Sequence, residues 1–592
     1  MNSVYTSRAE RFGNERRKLA GRLSATAFIR LVLFLLFAWF TYSAFQKRFE
    51  GYDLLIALTC IAFFIVVVFI AASIKKQIQF LEQLIRINEN EDRIAEGVPS
   101  VLDNGALLSP GKGFAADLNV FGQHSLFHLI NRTGSHSGKR QLAKQLAEPF
   151  TDRDQILNCQ QCANELSGKV DFRQSLLAQT LLLKEEETLA QLQAGIRLND
   201  FAVLRKIPWR ILSVLWPALG AILIGVSIWY DNYTFVLPFI ILGLILLGFI
   251  LKKINLLYFH ISRRSYLYNQ YSRCFEFISK ETFAHPFLRK KQEEIQHASK
   301  AFGSLARLTG VFDLRLSMLS FFVNGLFLSD LSCARAYLNW NERYQADISI
   351  WFTALGEIEL LNSIGSFCSN HPDFVFPLMA EDGTLIKATD MGHPLMKLSM
   401  AVVNDVSIGE KDKLHLITGS NMSGKSTFLR TLGLNVLLAQ LGAPVFAKSF
   451  SFQPVRLLTS FHHIDSLEES TSYFYAELKC LKGIISSLED PAPALVLLDE
   501  VMRGTNSKDK HDGTALLIKK LLSYSCLSLI ATHDTELGTL ASDHPGMIAN
   551  FCFESELEND ELVFDFKMRE GVAKTKNATF LMQKMGIIGG AN

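Results

Sequence analysis

Three features of the sequence predict an α/β domain toward the C-terminal end, joined to an all-helical part that carries two transmembrane helical hairpins. The first is Ile417–Leu429, ITGSNMSGKSTFL, in which Gly419, Gly424, Lys425 and Ser426 spell G-x-x-x-x-G-K-S and Thr427 follows. The apolar run Leu414–Ile417 leads in and the amphipathic run Phe428–Leu441 leads out, which reads as strand, glycine loop, helix. The second is two pairs of long apolar segments, about 28–45 with 54–74 and about 212–230 with 234–251. The third is Ile254–Phe367, which has the single proline Pro286, few glycines and many Leu, Phe, Arg, Lys and Glu residues, the pattern of long helices.

A chain of 592 residues exceeds one hydrophobic core, so several domains are expected. The net charge of +2 predicts no strong electrostatic pull on nucleic acid. A hydrophobic fraction of 49% with positive mean hydropathy points to membrane segments in part of the chain. Nine cysteines without a framework fit a reducing compartment. The close pair Cys159-Gln-Gln-Cys162 sits in a helical pattern; a zinc or redox role stays open beside the reading as ordinary helix residues.

In chain order, residues 1–80 hold a basic N-terminus (Arg8, Arg11, Arg16, Arg17, Lys18, Arg22) and the first hairpin. Leu54–Ile74 is uncharged for 21 residues, enough to span a bilayer as a helix. A secretory signal peptide competes for the first segment, and the second segment argues for a retained hairpin. Residues 81–118 read as a linker helix and loop, and 119–205 as helices broken at Gly134 and Pro149. The second hairpin occupies 206–253, with the alternative that both hairpins are buried core of a large soluble protein. Arg205, Lys206, Arg210, Lys252 and Lys253 flank its outer ends, so the positive-inside rule places all soluble parts in the cytoplasm of an inner or plasma membrane protein. Residues 254–376 read as long helices, and 377–592 as the α/β domain.

The chemistry of that domain suits a nucleoside triphosphate. Glycines let backbone N–H groups turn onto phosphate oxygens, Lys425 adds a point charge, and Ser426 offers a hydroxyl to Mg²⁺. Leu495–Glu500, LVLLDE, is a buried-strand pattern ending in two acids: Asp499 to hold Mg²⁺ and Glu500 to polarise the attacking water. Ser472 precedes a helix expected over Glu477–Ser486, where a hydroxyl could touch a γ-phosphate across a dimer interface. Arg503-Gly504-Thr505-Asn506 reads as a tight loop. His533, after the apolar strand Cys526–Ile530, is placed to sense the γ-phosphate.

These motifs resemble the ATPase domain of the MutS DNA mismatch-repair family, an ABC-type ATPase. TGSNMSGKST is similar to the family's TGPNMGGKST, VLLDEVMRGTN to LMDEIGRGTS, and ATHD to ATHY or ATHD. Gly392-His393-Pro394, Val403-Asn404-Asp405 and Glu570–Thr575 resemble further landmarks. Upstream, Ser125–Thr133 with Gly138–Leu142, and Gly356–Leu361, resemble parts of the family's helical core and lever, so 119–205 and 254–376 are expected to be a MutS-like core and lever. The resemblance implies ATP and Mg²⁺ as cofactors. It assigns Gly419, Asn421, Gly424, Lys425, Ser426 and Thr427 to phosphate and metal, with Ser426 and Asp499 on Mg²⁺. Asp499, Glu500 and His533 become catalytic, and Ser472 acts in trans within a homodimer. DNA is implied as a partner.

The sequence also departs from the family. The Phe-x-Glu wedge of a mismatch-reading domain has no counterpart, since Phe49-Glu50 lies in a membrane link and Phe275-Glu276 in a helical run. Ser470 and Thr471 replace the usual glycine and arginine before Ser472, and Lys508–His511 read as extra loop residues. The family's C-terminal dimerisation extension is not expected. Arg263, Arg264, Arg289, Lys290 and Lys291 could touch phosphates, against the reading as a solvated or headgroup-facing surface. The leading expectation is a membrane-anchored MutS-type ATPase with DNA as inherited ligand. The alternative is an ABC-like membrane ATPase that drives a membrane partner without reading DNA. A transport ATPase fits poorly, because the few charges of the apolar segments lie at their ends.

Overall fold

The computed structural model describes residues 2–47, 52–183, 198–261, 264–317, 320–380, 385–461, 473–503, 505–558 and 561–574. The chain forms two compact units. The first comprises Met1–Asp92, Thr133–Gly138 and Asp171–Glu359; the second comprises Arg93–Arg132, Lys139–Val170 and Leu360–Asn592.

The first unit is helical among its described residues. Its opening helices, Asn2–Gln46 and Asp53–Ala95, run for 45 and 43 residues, well beyond the apolar segments of the expected first hairpin. No proline or glycine interrupts the second until Gly97, so nothing stops the helix at the end of its apolar run. The polar extensions hold each other antiparallel. Thr6 donates to Asp92 at 3.0 Å and Arg16 to Glu82 at 2.8 Å. Arg8 reaches Gln174 at 3.0 Å, and Gln174 exchanges amide hydrogen bonds with Asn88 at 3.1 and 2.8 Å. The basic N-terminal stretch is therefore an ordered helical arm.

Among the described residues three helices are long and apolar enough to cross a membrane: Val4–Gln46, Asp53–Ala95 and Ile207–Trp229. The number rises to five if each of two bent helix pairs counts as one span. Their large apolar side chains point outward, with Phe28, Trp39 and Phe69 exposed at 68%, 67% and 71%, the surface that hydrocarbon would cover. The expected second hairpin is altered at its return. Instead of one helix over 234–251, Val236–Gly248 and Leu251–Ile261 meet at 76°. Thirteen helical residues reach about 20 Å, short of the roughly 30 Å hydrocarbon core.

The stretch expected as long helices is broken more often than composition suggests. It forms Ser265–Lys280, Pro286–Glu294 (Pro286 at its first turn), Ala298–Asp313, Ser320–Phe327 and the 42-residue Ser329–Asn370. An aromatic core holds the first unit. Phe302 lies at 5.6 Å from Phe275 and 5.8 Å from Phe352, all buried. Phe275 is thus a core residue. Lys291 is paired with Glu357 at 2.7 Å and Glu294 at 3.1 Å, which occupies one cation of the suspected phosphate-binding surface; Arg263 lies outside the described residues. Glu359 is buried and accepts from Gly134 N at 2.8 Å, Ser135 N at 3.2 Å and Ser135 Oγ. Burial raises its carboxyl above the usual range, against the pull of those hydrogen bonds.

The second unit is α/β. Its strands are β1 (Leu378–Met379), β2 (Ile386–Met391), β3 (Asn404–Ile408), β4 (Leu414–Gly419), β5 (Ser449–Phe452), β6 (Arg456–Ser460), β7 (Ala494–Asp499), β8 (Cys526–Thr532), β9 (Ile548–Glu558) and β10 (Glu561–Glu570). They form a four-stranded sheet, β1-β5-β2-β3, and a six-stranded sheet, β10-β9-β4-β8-β7-β6. In the larger sheet β9, β4, β8, β7 and β6 run parallel and β10 pairs antiparallel at the edge. β4, β7 and β8 are buried at every residue, as strands covered on both faces must be. The helix Lys425–Gln440 was expected to be amphipathic, yet it is buried nearly all round. Its polar residues are satisfied internally: Asn435 donates to Gly392 O at 3.0 Å and accepts from Phe446 N at 2.9 Å, and Gln440 donates to Phe150 O at 2.9 Å. Cys159 and Cys162 are buried positions of the helix Arg153–Ser167.

Candidate functional site

The sheet order decides which loops meet. β8 lies between β4 and β7, so the residues after these three parallel strands emerge side by side at their carboxyl ends, the usual ligand edge of such sheets. The loop after β4 needs its glycines. Gly419 has φ +155 and Gly424 φ +109, and a Cβ on Gly419 would fall 2.7 Å from Phe553 O and 2.8 Å from Ser423 Oγ. Gly424 caps the helix beginning at Lys425. The first intrahelical bond of this turn runs from Phe428 N to Gly424 O at 2.9 Å. The N–H groups of Lys425, Ser426 and Thr427 therefore have no acceptor within the helix, an arrangement whose chemistry suits an anion.

Lys425 is buried and folds over its own loop, donating to Gly419 O and Ser420 O at 2.8 Å each. Burial lowers its ammonium to about 8, although Glu500 and Asp499 pull it upward. Asp499 ends β7 and is buried. Glu500 follows with φ +52, its N–H bonded to Ala531 O at 2.9 Å. That left-handed backbone turns the carboxylate toward Arg503 at 2.8 Å and toward His533 Nε2. Burial would raise the Glu500 carboxyl, but the His533 hydrogen bond and the charges of His533, Arg503 and Lys425 outweigh it and hold it at about 2. His533 also places Nδ1 2.8 Å from Gly419 O and 3.4 Å from Lys425 Nζ. The histidine after the central strand thus bridges the glycine loop on one side and the acid on the other.

Of the residues singled out in the sequence, Gly419, Lys425, Glu500 and His533 meet directly. Ser426 is half-buried and Thr427 exposed in the helix's first turn, and Asn421 is exposed in the loop. Ser472 lies outside the described residues, together with Ser470, Thr471 and Gly504. The helix expected over Glu477–Ser486 runs from Tyr473 to Leu488. Lys508–His511, read as loop, belong to the helix Ser507–Leu522, which Asn506 caps by accepting from Asp509 N at 2.8 Å.

Three features escaped sequence reasoning. Glu477 is buried and accepts from Met502 N at 2.5 Å and Arg503 N at 3.2 Å, so it shapes the loop after the acids. His511 Nδ1 meets Asp534 Oδ2 at 2.7 Å, tying that helix to the residue after His533. A cavity of about 580 Å³ opens beside Gly424 and Thr427, lined by His393, Met396, Met400, Phe428 and Phe566. Asn404 shapes one wall, donating to Phe566 O at 3.0 Å and accepting from Met568 N at 2.7 Å. Burial and the nearby Arg430 lower the His393 imidazole to about 4, so it is neutral at pH 7. The signal for Glu477 was a lone acid in a helix, and the cavity draws on residues far apart in sequence.

Loss of Glu477 has a defined local cost. Glu477→Ala removes the acceptor of two partly buried N–H groups, about 2–3 kcal/mol of local stability. Hydrogen exchange should then speed by about 30- to 150-fold at Met502 and Arg503. Unchanged exchange there would contradict this role.

The MutS domain V family model matches residues 415–586, a range that covers β4 from its second residue, the glycine loop, Glu500 and His533. DNA mismatch repair protein MutS of Thermotoga sp. (strain RQ2) is 34% identical over 205 residues, 34% of this chain and 25% of that protein. Its counterpart from Thermotoga maritima matches with the same identity and coverage. This C-terminal part of the chain is of MutS domain V type. The likeness is divergent and partial: the chain spans about a quarter of the length of the curated relatives it matches. Within the MutS match, the tail after β10 folds back onto β4, with Ala573 N donating to Thr418 Oγ1 at 2.9 Å. Thr575 of the MutS-like tail lies outside the described residues.

Proposed function

We propose that this chain is a membrane-anchored ATPase of MutS type. The observation that carries the reading is the bridge of His533 between the Gly419 carbonyl and Glu500, with Lys425 beside it. It brings a phosphate-binding turn, a cation and an acid to one sheet edge. ATP would lie with its phosphates on Gly419–Thr427, Asn421 included, and its base in the cavity beside Gly424. That cavity's size and its mix of apolar walls with a neutral imidazole suit an aromatic heterocycle. Ser426 and Asp499 offer oxygen donors, the ligand chemistry of Mg²⁺, which would neutralise charge on the phosphates. Glu500, held at about 2, is a weak proton acceptor and a strong fixed negative charge. Its role is to orient and polarise water, with His533 positioning it and sensing the phosphate.

The family resemblance makes the active form a homodimer closed by Ser472 of the opposite subunit. The apolar helices anchor the chain in an inner or plasma membrane with its soluble parts in the cytoplasm. DNA is the inherited ligand, in a mismatch-repair-type role. A second reading, an ATPase that drives a membrane-protein partner, is favoured by the helices that can cross a membrane. Binding of duplex and branched DNA by the detergent-purified chain separates the two. The DNA reading expects an affinity that falls by at least about tenfold between 50 and 200 mM salt. Intact ATPase activity without DNA binding at low salt would leave the second.

A further inference from the structure

We propose that the helix Ser320–Phe327 is re-entrant, inserted beside the Ile207–Trp229 span with its outer face in lipid hydrocarbon. By composition this stretch belongs to the long helices expected over 254–376. The ends of the loop are pinned together: Arg315 Nε lies 2.9 Å from Asp330 Oδ2, both side chains largely buried. Whatever path the chain takes after Arg315, it returns to the same place before Asp330.

Between those ends the chain reaches into the apolar helices. A Cβ on Gly220 would overlap the Leu326 carbonyl, and one on Gly243 the Gly325 carbonyl, so glycine is what lets the three helices meet. Trp216 Nε1 donates to Gly325 O at 2.9 Å. A carbonyl at a helix end is thereby satisfied without water, the condition for irregular backbone at membrane depth. Leu328 closes the loop, buried and at φ +46, and Asn324 accepts from Ser329 Oγ at 2.7 Å and Asp330 N at 2.9 Å.

Depth along Ile207–Trp229 follows from its partners. Its start carries polar contacts to the Ser329–Asn370 helix: Arg205 with Glu342 at 2.6 Å, Arg335 with Arg210 O at 3.1 Å, Ser332 with Ser213 O at 3.3 Å. Gly220 lies seven residues beyond Ser213, about 10 Å further along the axis. That places the loop's contact with Gly220 inside one leaflet of a roughly 30 Å core. Leu316, Phe321 and Phe322 remain 63%, 45% and 53% exposed. The helix that carries Phe321 and Phe322 packs on the span at Gly220, two residues from Ile222, which is 61% exposed, so both present outward apolar surface. Continuity with that surface makes lipid the occupant.

The inference rests on Ile207–Trp229 crossing the bilayer, and one experiment separates the two. The full-length protein in phosphatidylcholine vesicles is photolabelled with a phospholipid bearing a diazirine on its acyl chain, and adducts are mapped by mass spectrometry. Adducts are expected on Ile207–Trp229 and on Leu316, Phe321 or Phe322, with Pro286–Glu294 unlabelled. Labelled spans with no adduct on these three residues would overturn the loop, a second copy on that face included. No adduct on Ile207–Trp229 would overturn the membrane reading beneath it.

Discussion

Lys425→Ala is expected to weaken ATP binding by about 10- to 100-fold. The ammonium would exchange its two loop carbonyls for phosphate oxygens, and each charge-assisted hydrogen bond contributes about 1.5–3 kcal/mol. Lys425→Met keeps the buried stem and separates loss of charge from loss of packing; both variants should lose affinity. Unchanged affinity in both would remove Lys425 from the site. The same lysine links binding to protons. In the free protein burial holds it at about 8, and a phosphate beside Nζ would raise it, so ATP should bind with proton uptake near pH 8. Titration calorimetry in two buffers of different ionisation enthalpy reads this directly. For stability the sign is opposite to a salt bridge. The folded state holds fewer protons than the unfolded between about 8 and the ordinary 10.5, so this lysine's cost to stability fades as pH rises through that window.

Glu500→Gln should leave ATP binding within a few-fold of wild type and slow hydrolysis by about 10²–10⁴-fold. Glutamine keeps the volume and an acceptor for Arg503 while discarding the charge. Binding without turnover should also trap the nucleotide-closed dimer, visible as a larger species on sizing. Turnover equal to wild type would take Glu500 out of the chemistry. The carboxylate's depression to about 2 also has a pH signature. Its contribution to stability is present above the ordinary value of 4.5 and is lost as pH falls through about 2.

The strand–loop–helix at 414–440 was legible because glycine positions and flanking periodicity are local signals. The acids at 499 and 500 were legible because a buried strand rarely ends in two carboxylates without purpose. What joins them was not. The bridge of His533 depends on β8 lying between β4 and β7, a fact of sheet order that spacing along the chain does not carry. Glu477 and Asn404 act through backbone groups of distant loops, and no residue pattern marks that. In the helical unit, apolar length identified the membrane-compatible segments. The 76° break near Gly248 and the return of Ser320–Phe327 to Gly220 and Gly243 come from close backbone packing. Hydropathy sees only that those glycines do not interrupt an apolar run.

ATP is expected with its phosphates on the Gly419–Lys425 loop and its base beside Gly424. Photolabelling of the full-length protein with 8-azido-ATP and Mg²⁺, followed by peptide mapping, tests it most directly. Adducts should fall on the cavity wall at Met396, Met400 or Phe566, be displaced by excess ATP and drop by at least about tenfold in Lys425→Ala at sub-saturating nucleotide. Displaceable labelling confined to another part of the chain, or surviving intact in Lys425→Ala, would contradict the account.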